Sequence, residues 1–362
     1  MGPHRRYSIH RRKLGPLRTE RDRHQPPEVA FARLTTPRHV RYRGNLSQMK
    51  AFITGVAGFV GSTLARRLLS SGHEVVGIDA LTDYYDPSIK RTNLGTLASD
   101  KFSFFEADIN SVDLSDLLEG VDFIFHQAGQ PGVRSSWGDE FSIYTSANIL
   151  ATQRLLEAAK KRGAIKRFVY ASSSSVYGNA ESYPTRESDR PQPVSPYGVS
   201  KLAAEHLVTL YGTNFGLPTV SLRYFTVYGP GQRPDMAFTR FVKAARTGES
   251  IPLYGTGEQI RDFTYVDDVV EANILAATEE STPGSVFNVA GGSNVSMLEV
   301  IDLIESISGR PLQIDRLPAV AGDVFRTGGS TDKIRTELGW SARVSLEDGL
   351  RNHYEWAQRT FS

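Results

Sequence analysis

The chain has 362 residues, 40% of them hydrophobic, enough for one large domain or two modest ones and too apolar for a disordered chain. It contains no cysteine, which excludes disulfides, thiolate metal sites and a cysteine nucleophile, and fits a reducing compartment such as the cytoplasm. The net charge of +2 hides an asymmetry: residues 1–48 carry 12 Lys+Arg against 3 Asp+Glu, the remainder 30 against 37. The mildly acidic body does not suit a nucleic-acid groove.

Residues 1–48 are rich in Arg, His and Pro without an apolar period, which reads as a disordered basic extension. Met49 stands directly before the first strand and could be the natural start; a targeting or interaction arm is the other reading. No apolar run approaches the ~18 residues that span a bilayer, and the N-terminus lacks an apolar signal core, so no membrane partner is expected.

From Lys50 onward short apolar runs alternate with amphipathic stretches. Strands are predicted at Ala51–Thr54, Val75–Ile78, Phe102–Phe105, Phe123–His126, Phe168–Ala171 and Val220–Arg223. Helices are predicted near Gly58–Ser71, Val112–Leu118, Ile143–Arg162 and Pro196–Tyr211. This alternation predicts an α/β fold, a Rossmann-type doubly wound parallel sheet, mainly over residues 49–228. After Tyr228 the pattern loosens, with further segments near Val286–Val289 and Leu298–Ile307. Residues 229–362 are expected to form mainly a smaller C-terminal substrate-binding lobe, with some segments returning to the first domain.

The first strand runs into Gly55-x-x-Gly58-x-x-Gly61. Gly55 permits a tight turn, Gly58 lets backbone approach a pyrophosphate, and Gly61 lets the following helix pack on the strand. Such a turn alone can be purely structural, and its spacing differs from G-x-G-x-x-G. Asp79 ends the next strand roughly 20 residues on, where a carboxylate accepts hydrogen bonds from ribose hydroxyls and repels a 2′-phosphate. Loop and Asp79 together point to NAD.

Tyr197-Gly-Val-Ser-Lys201 opens a helix after Pro196. Residues four apart share a helix face, and an ammonium beside a phenol favours the phenolate, so Tyr197 could exchange a proton with a substrate hydroxyl. A lone Tyr-x-x-x-Lys is common by chance. The context here is a serine run, Ser172 to Ser175, ending in Val-Tyr-Gly at the carboxyl end of a strand, the edge where such sheets bind ligands.

Together these motifs resemble the extended short-chain dehydrogenase/reductase family, specifically its nucleotide-sugar epimerases, over Met49 to about Ala357. The likeness extends to His126-Gln-Ala-Gly-Gln-Pro-Gly-Val-Arg134, Asn148 with Thr152, Arg223-Tyr-Phe-Thr-Val-Tyr-Gly-Pro230 and Arg261-Asp-Phe-Thr-Tyr-Val-Asp-Asp268. The resemblance implies catalysis by Tyr197, Lys201 and Ser173. It implies NAD contacts from Gly55, Gly58, Phe59, Val60, Gly61 and Asp79, the adenine-side pair Asp108 and Ile109, and Gln127, Ala128 and Gly129, with Asn148, Tyr197, Lys201 and Tyr224. Substrate contacts are implied for Ser174, Ser175, Thr226, Arg233, Tyr254, Arg261 and Arg326, with Arg261 on the nucleotide diphosphate. It implies no metal, and a homodimer formed through two helices beside the sheet.

Asp79-Ala-Leu-Thr-Asp-Tyr-Tyr-Asp86 and Thr226 resemble the UDP-glucuronate 4-epimerases, whose sugar carboxylate a Thr, a serine run and an Arg surround. Related dehydratases and decarboxylases carry an acid at the Ser175 position, and dehydratases a second at Ser174; dehydration needs an acid to protonate the departing hydroxyl. The expected function is thus NAD-dependent C4 epimerisation of a UDP-sugar, UDP-glucuronate to UDP-galacturonate, through a 4-keto intermediate. A UDP-glucose/UDP-galactose 4-epimerase, a UDP-glucuronate decarboxylase, a nucleotide-sugar dehydratase and a non-catalytic NAD-binding scaffold are the alternatives. The sequence departs from the family at Pro318-Ala-Val-Ala-Gly322-Asp323, where many members carry Arg before Gly-Asp.

Overall fold

Seven short, largely buried runs rich in Val, Ile and Phe pair into one parallel sheet: β1 (Lys50–Thr54), β2 (Glu74–Asp79), β3 (Phe102–Glu106), β4 (Phe123–His126), β5 (Arg167–Ser173), β6 (Thr219–Tyr224) and β7 (Ser285–Val289). Their order across the sheet is β7-β6-β5-β4-β1-β2-β3. The chain winds outward from β1 to β3, then returns to begin again at β4, so a topological switch point lies between β1 and β4. The computed structural model describes residues 48–319, 322 and 324–361. The basic extension expected over residues 1–48 therefore lies, apart from Gln48, outside the described residues, as does Asp323.

Both faces of the sheet are covered, which is why its inner strands are buried along their length rather than alternating; the edge strand Phe102–Glu106 is only partly buried. One face packs Ile53, Val169 and Leu222 against Leu64 and Leu68 of the helix Phe59–Ser70 and Val269 and Val270 of the helix Val266–Thr278. The other packs Phe52, Ile124 and Phe168 against Leu155 and Leu156 of the helix Ala151–Arg162 and Ala204 and Val208 of the helix Pro196–Phe215. A separate core unites Phe238, Val242, Phe263, Ile301 and Leu350 from the later part of the chain. β7 nevertheless joins the main sheet beside β6. No described helix is long and apolar enough to cross a membrane.

Two predicted helices differ in the structure. Val112–Leu118 forms turns, not a helix. Its leucines are buried as expected, but the Asp113 carboxylate accepts the Ser115 amide at 2.9 Å, a local side-chain bond that competes with helical pairing. The long helix predicted from Ile143 is interrupted: Phe141–Tyr144 runs into a π-helical stretch, Thr145–Leu150, before Ala151–Arg162. π-turns of this kind are frequent at functional sites.

Candidate active site

A cleft of about 740 Å³ opens at the carboxyl ends of the strands across the switch point. Its lining contains the glycine turn, Asp79, Asp108, Ile109, residues 127–129, the serine run, Tyr197, Lys201, Tyr224, Thr226 and Arg233.

At one end, Gly55 adopts φ +68°, and a Cβ there would stand 2.8 Å from the Ala128 backbone. Gly58 caps the helix Phe59–Ser70 with no side-chain partner, and no acidic residue occupies the first turn. The N-terminal amides are thus left for an anion, with the helix dipole favouring it. Asp79 is held in place: its carboxylate accepts the amides of Ala57 at 3.1 Å and Leu81 at 2.8 Å. Close backbone at the turn, open amides and a fixed carboxylate one strand away fit a dinucleotide with a free ribose 2′-hydroxyl. A Cβ on Gly61 would collide with the Gly55 carbonyl oxygen and stand 2.9 Å from its carbon. Gly61→Ala is expected to cost about 1–3 kcal/mol through overpacking, read as a lower Tm and loss of NAD on purification.

Lys90 escaped the sequence reading. Its ammonium lies 3.8 Å from the Asp79 carboxylate, donates to Thr82 Oγ1 at 3.1 Å, and its side chain is only 8% exposed. The available signal was that it is the first cation after Asp79.

The floor is a closed polar ring. Tyr224 donates to Gln127 Oε1 at 3.0 Å, Gln127 Nε2 donates to Asn273 Oδ1 at 2.9 Å, and Asn273 Nδ2 donates to Tyr224 Oη at 2.7 Å. Asn273 comes from the helix Val266–Thr278 and was not foreseen. Asn148 does not line the cleft. It accepts the Gln130 amide at 2.7 Å and donates to the Gln130 carbonyl at 3.1 Å and to Ser200 Oγ at 2.9 Å, tying the cleft wall to the helix that carries Tyr197.

That helix, Pro196–Phe215, starts where the sequence dictates: Ser195 accepts the Gly198 amide and Pro196 occupies the first turn. Burial raises the Tyr197 phenol; the largest opposing influences are the Ser173 hydroxyl and the Arg233 guanidinium. Lys201, expected from its spacing to supply that influence, lies 4.5 Å over the Tyr170 ring. Burial brings its ammonium down to about 7 despite Glu205, so it offers the phenol only part of a charge near neutrality. Ser173 accepts the Ser175 amide at 3.1 Å, which holds its hydroxyl at the strand end.

Ser174, Ser175, Thr226 and Arg233 line the same cleft. Arg233 is gripped side-on: Nε and Nη2 donate to the two Asp235 oxygens at 2.9 and 2.8 Å. Tyr254, Arg261 and Arg326 do not line it. Tyr254 lies under the Arg134 guanidinium at 4.0 Å, Arg261 Nη1 donates to the Phe325 carbonyl at 3.1 Å, and the Arg326 guanidinium lies over Tyr183 at 4.9 Å. Among the described residues no cluster of His, Asp or Glu could hold a metal.

The profile of the NAD dependent epimerase/dehydratase family matches residues 51–290. A Bacillus subtilis protein described as an uncharacterized UDP-glucose epimerase is 44% identical over 309 residues, covering 84% of this chain and 96% of that one. A probable UDP-glucuronate 4-epimerase of Rhizobium meliloti is 37% identical over 336 residues, covering 86% and 98%. Among solved structures, the UDP-glucuronic acid 4-epimerase from Bacillus cereus in complex with UDP-glucuronic acid and NAD superposes with a TM-score of 0.83 at 42% identity, covering 86% of this chain and 100% of that one.

Proposed function

Because this chain belongs to the NAD dependent epimerase/dehydratase family, we propose that it inverts C4 of UDP-glucuronate to give UDP-galacturonate through a 4-keto intermediate. The observation that carries this reading is the convergence of a dinucleotide cradle, Tyr197 beside Ser173, Lys201 and Arg233 on one cleft. NAD, held by the glycine turn and Asp79, supplies a hydride acceptor that returns what it takes.

The chain's own groups handle the proton and the orientation. Tyr197 Oη, as phenolate, removes the proton from the C4 hydroxyl and later gives it back. Ser173 Oγ hydrogen-bonds the same oxygen throughout. Lys201 holds the nicotinamide ribose. Arg233, Thr226, Ser174 and Ser175 hold the sugar carboxylate; a β-keto acid at this stage loses CO₂ if its carboxylate bond aligns with the carbonyl π system, so this grip protects the 4-keto intermediate. Serines at 174 and 175 cannot donate as the acids of a dehydratase would. Tyr254, Arg261 and Arg326, outside the cleft lining, are the candidates for holding the nucleotide, with the arginines on its diphosphate.

The deciding experiment incubates the protein with UDP-glucuronate, UDP-glucose and UDP-galactose and reads epimer ratios by NMR; interconversion of the neutral sugars without the uronates overturns the substrate assignment. Asp79→Ala is expected to weaken NAD retention by about 2 kcal/mol, roughly 30-fold, as a charge-assisted hydrogen bond to ribose is lost. Cofactor titration measures it, with NADP as the comparison.

A homodimer belongs to the same reading. Val199 and Leu210, eleven residues apart on one side of the catalytic helix, are 46% and 50% exposed, and Leu150 at the neighbouring helix is 49% exposed. Unpartnered leucines on two adjacent helices fit a second copy of the chain, and the mass in solution tests it. A cytoplasmic location accords with the absence of cysteine.

A further inference from the structure

Two motifs of the sequence, Val176-Tyr177-Gly178 and Arg223, have no part in the chemistry proposed above, yet both meet in the interior. Arg223 and Glu205 are 4% and 2% exposed. Arg223 donates from Nε and Nη2 to Glu205 at 3.0 and 2.6 Å. Glu205 in turn accepts Ser172 Oγ at 2.6 Å. The third arm of the guanidinium, Nη1, donates to Tyr177 Oη at 2.7 Å, and that hydroxyl donates to Asn288 Oδ1 at 2.7 Å.

Ser172 immediately precedes Ser173, and Tyr177 closes the turn that follows it. One ion pair therefore grips the serine segment on both sides of Ser173. Glu205 stands one turn beyond Lys201 on the helix that also carries Tyr197, so the pair ties that segment to the helix bearing the acid–base residues. Taking two charges out of water is costly, and a buried pair is weak evidence for stability on its own account. Stability alone would be served as well by apolar side chains.

We infer that Glu205 and Arg223 are positioning residues that clamp residues 172–177 at both ends and thereby aim the Ser173 hydroxyl at the substrate oxygen. This rests on the role proposed above for Ser173. Removing the charges themselves risks the fold, whereas Ser172→Ala and Tyr177→Phe each release one end and leave the ion pair intact.

The test measures kcat, KM, NAD content and Tm for both variants, alone and in a Ser173→Ala background, with product followed by NMR over long incubations. Each release is expected to lower kcat about tenfold, as small misplacements at a reacting centre do, with KM and NAD content unchanged. In the Ser173→Ala background the same changes are expected to cost less than about twofold, because residues acting through a shared partner are non-additive. Equal losses in the two backgrounds, or no loss from either release, overturn the clamp. Ser173→Ala with unaltered kcat overturns instead the catalytic role of Ser173, and the clamp with it.

Discussion

Tyr197→Phe is expected to lower kcat for epimerisation by at least about 10³-fold, within the range that positioned acid–base groups supply. The variant removes one oxygen. The ring keeps its edge-on contact with Tyr144, whose centroid is 6.3 Å away, so bound NAD and Tm should change little. No neighbouring group can take over. Ser173 is too weak a base to accept the C4 proton. Lys201 is turned toward the Tyr170 face. The His126 imidazole is wholly buried, depressed to about 3, and engaged with Thr54 Oγ1 at 2.7 Å and Thr152 Oγ1 at 2.9 Å. NMR of the UDP-uronate pool measures the loss. Retention of more than a few per cent of turnover would sink the assignment of Tyr197 as the proton-transfer group.

The parts of the site legible in sequence are those set by local spacing. Gly55, Gly58 and Gly61 occupy one turn; Tyr197 and Lys201 occupy one helical turn; Asp79 ends the strand beside them. Each lies close in sequence to the element that positions it. What was illegible depends on contacts made across the fold. Asn273 closes the ring with Gln127 from 146 residues away, and nothing in the neighbourhood of either residue announces the other. The helix Val266–Thr278 escaped because it is buried around most of its circumference, which erases the 3.6-residue period. Val112–Leu118 erred in the opposite direction: apolar spacing alone suggested a helix, and one Asp113 side chain redirected it. Tyr254, Arg261 and Arg326, each named from a motif, lie outside the cleft lining, packed on Arg134, the Phe325 carbonyl and Tyr183.

Arg233→Leu is expected to separate the uronate from the neutral sugars. Asp235 uses the Nε and Nη2 edge of the guanidinium, and an arginine has five N–H donors in a fixed fork. The Nη1 end therefore remains for a second carboxylate. Losing a charge-assisted bond there costs about 1.5–3 kcal/mol, or roughly 10- to 150-fold in affinity for UDP-glucuronate. UDP-glucose, which lacks the carboxylate, should bind within about threefold of wild type by the same reasoning, since no such bond is there to lose. Asp235, its side chain 39% exposed, rehydrates when its partner goes, so the fold should tolerate the change. Calorimetric titration of both nucleotide sugars measures the split. The chemistry gives a second readout. With its carboxylate released, the 4-keto uronate can rotate that bond into line with the carbonyl and lose CO₂, so a UDP-pentose should appear in the NMR spectrum of the variant and not of the wild type. Equal weakening toward both sugars would place Arg233 on the nucleotide. Selective weakening without decarboxylation would leave Arg233 as the recognition group and move protection of the intermediate to Thr226 and the serine pair.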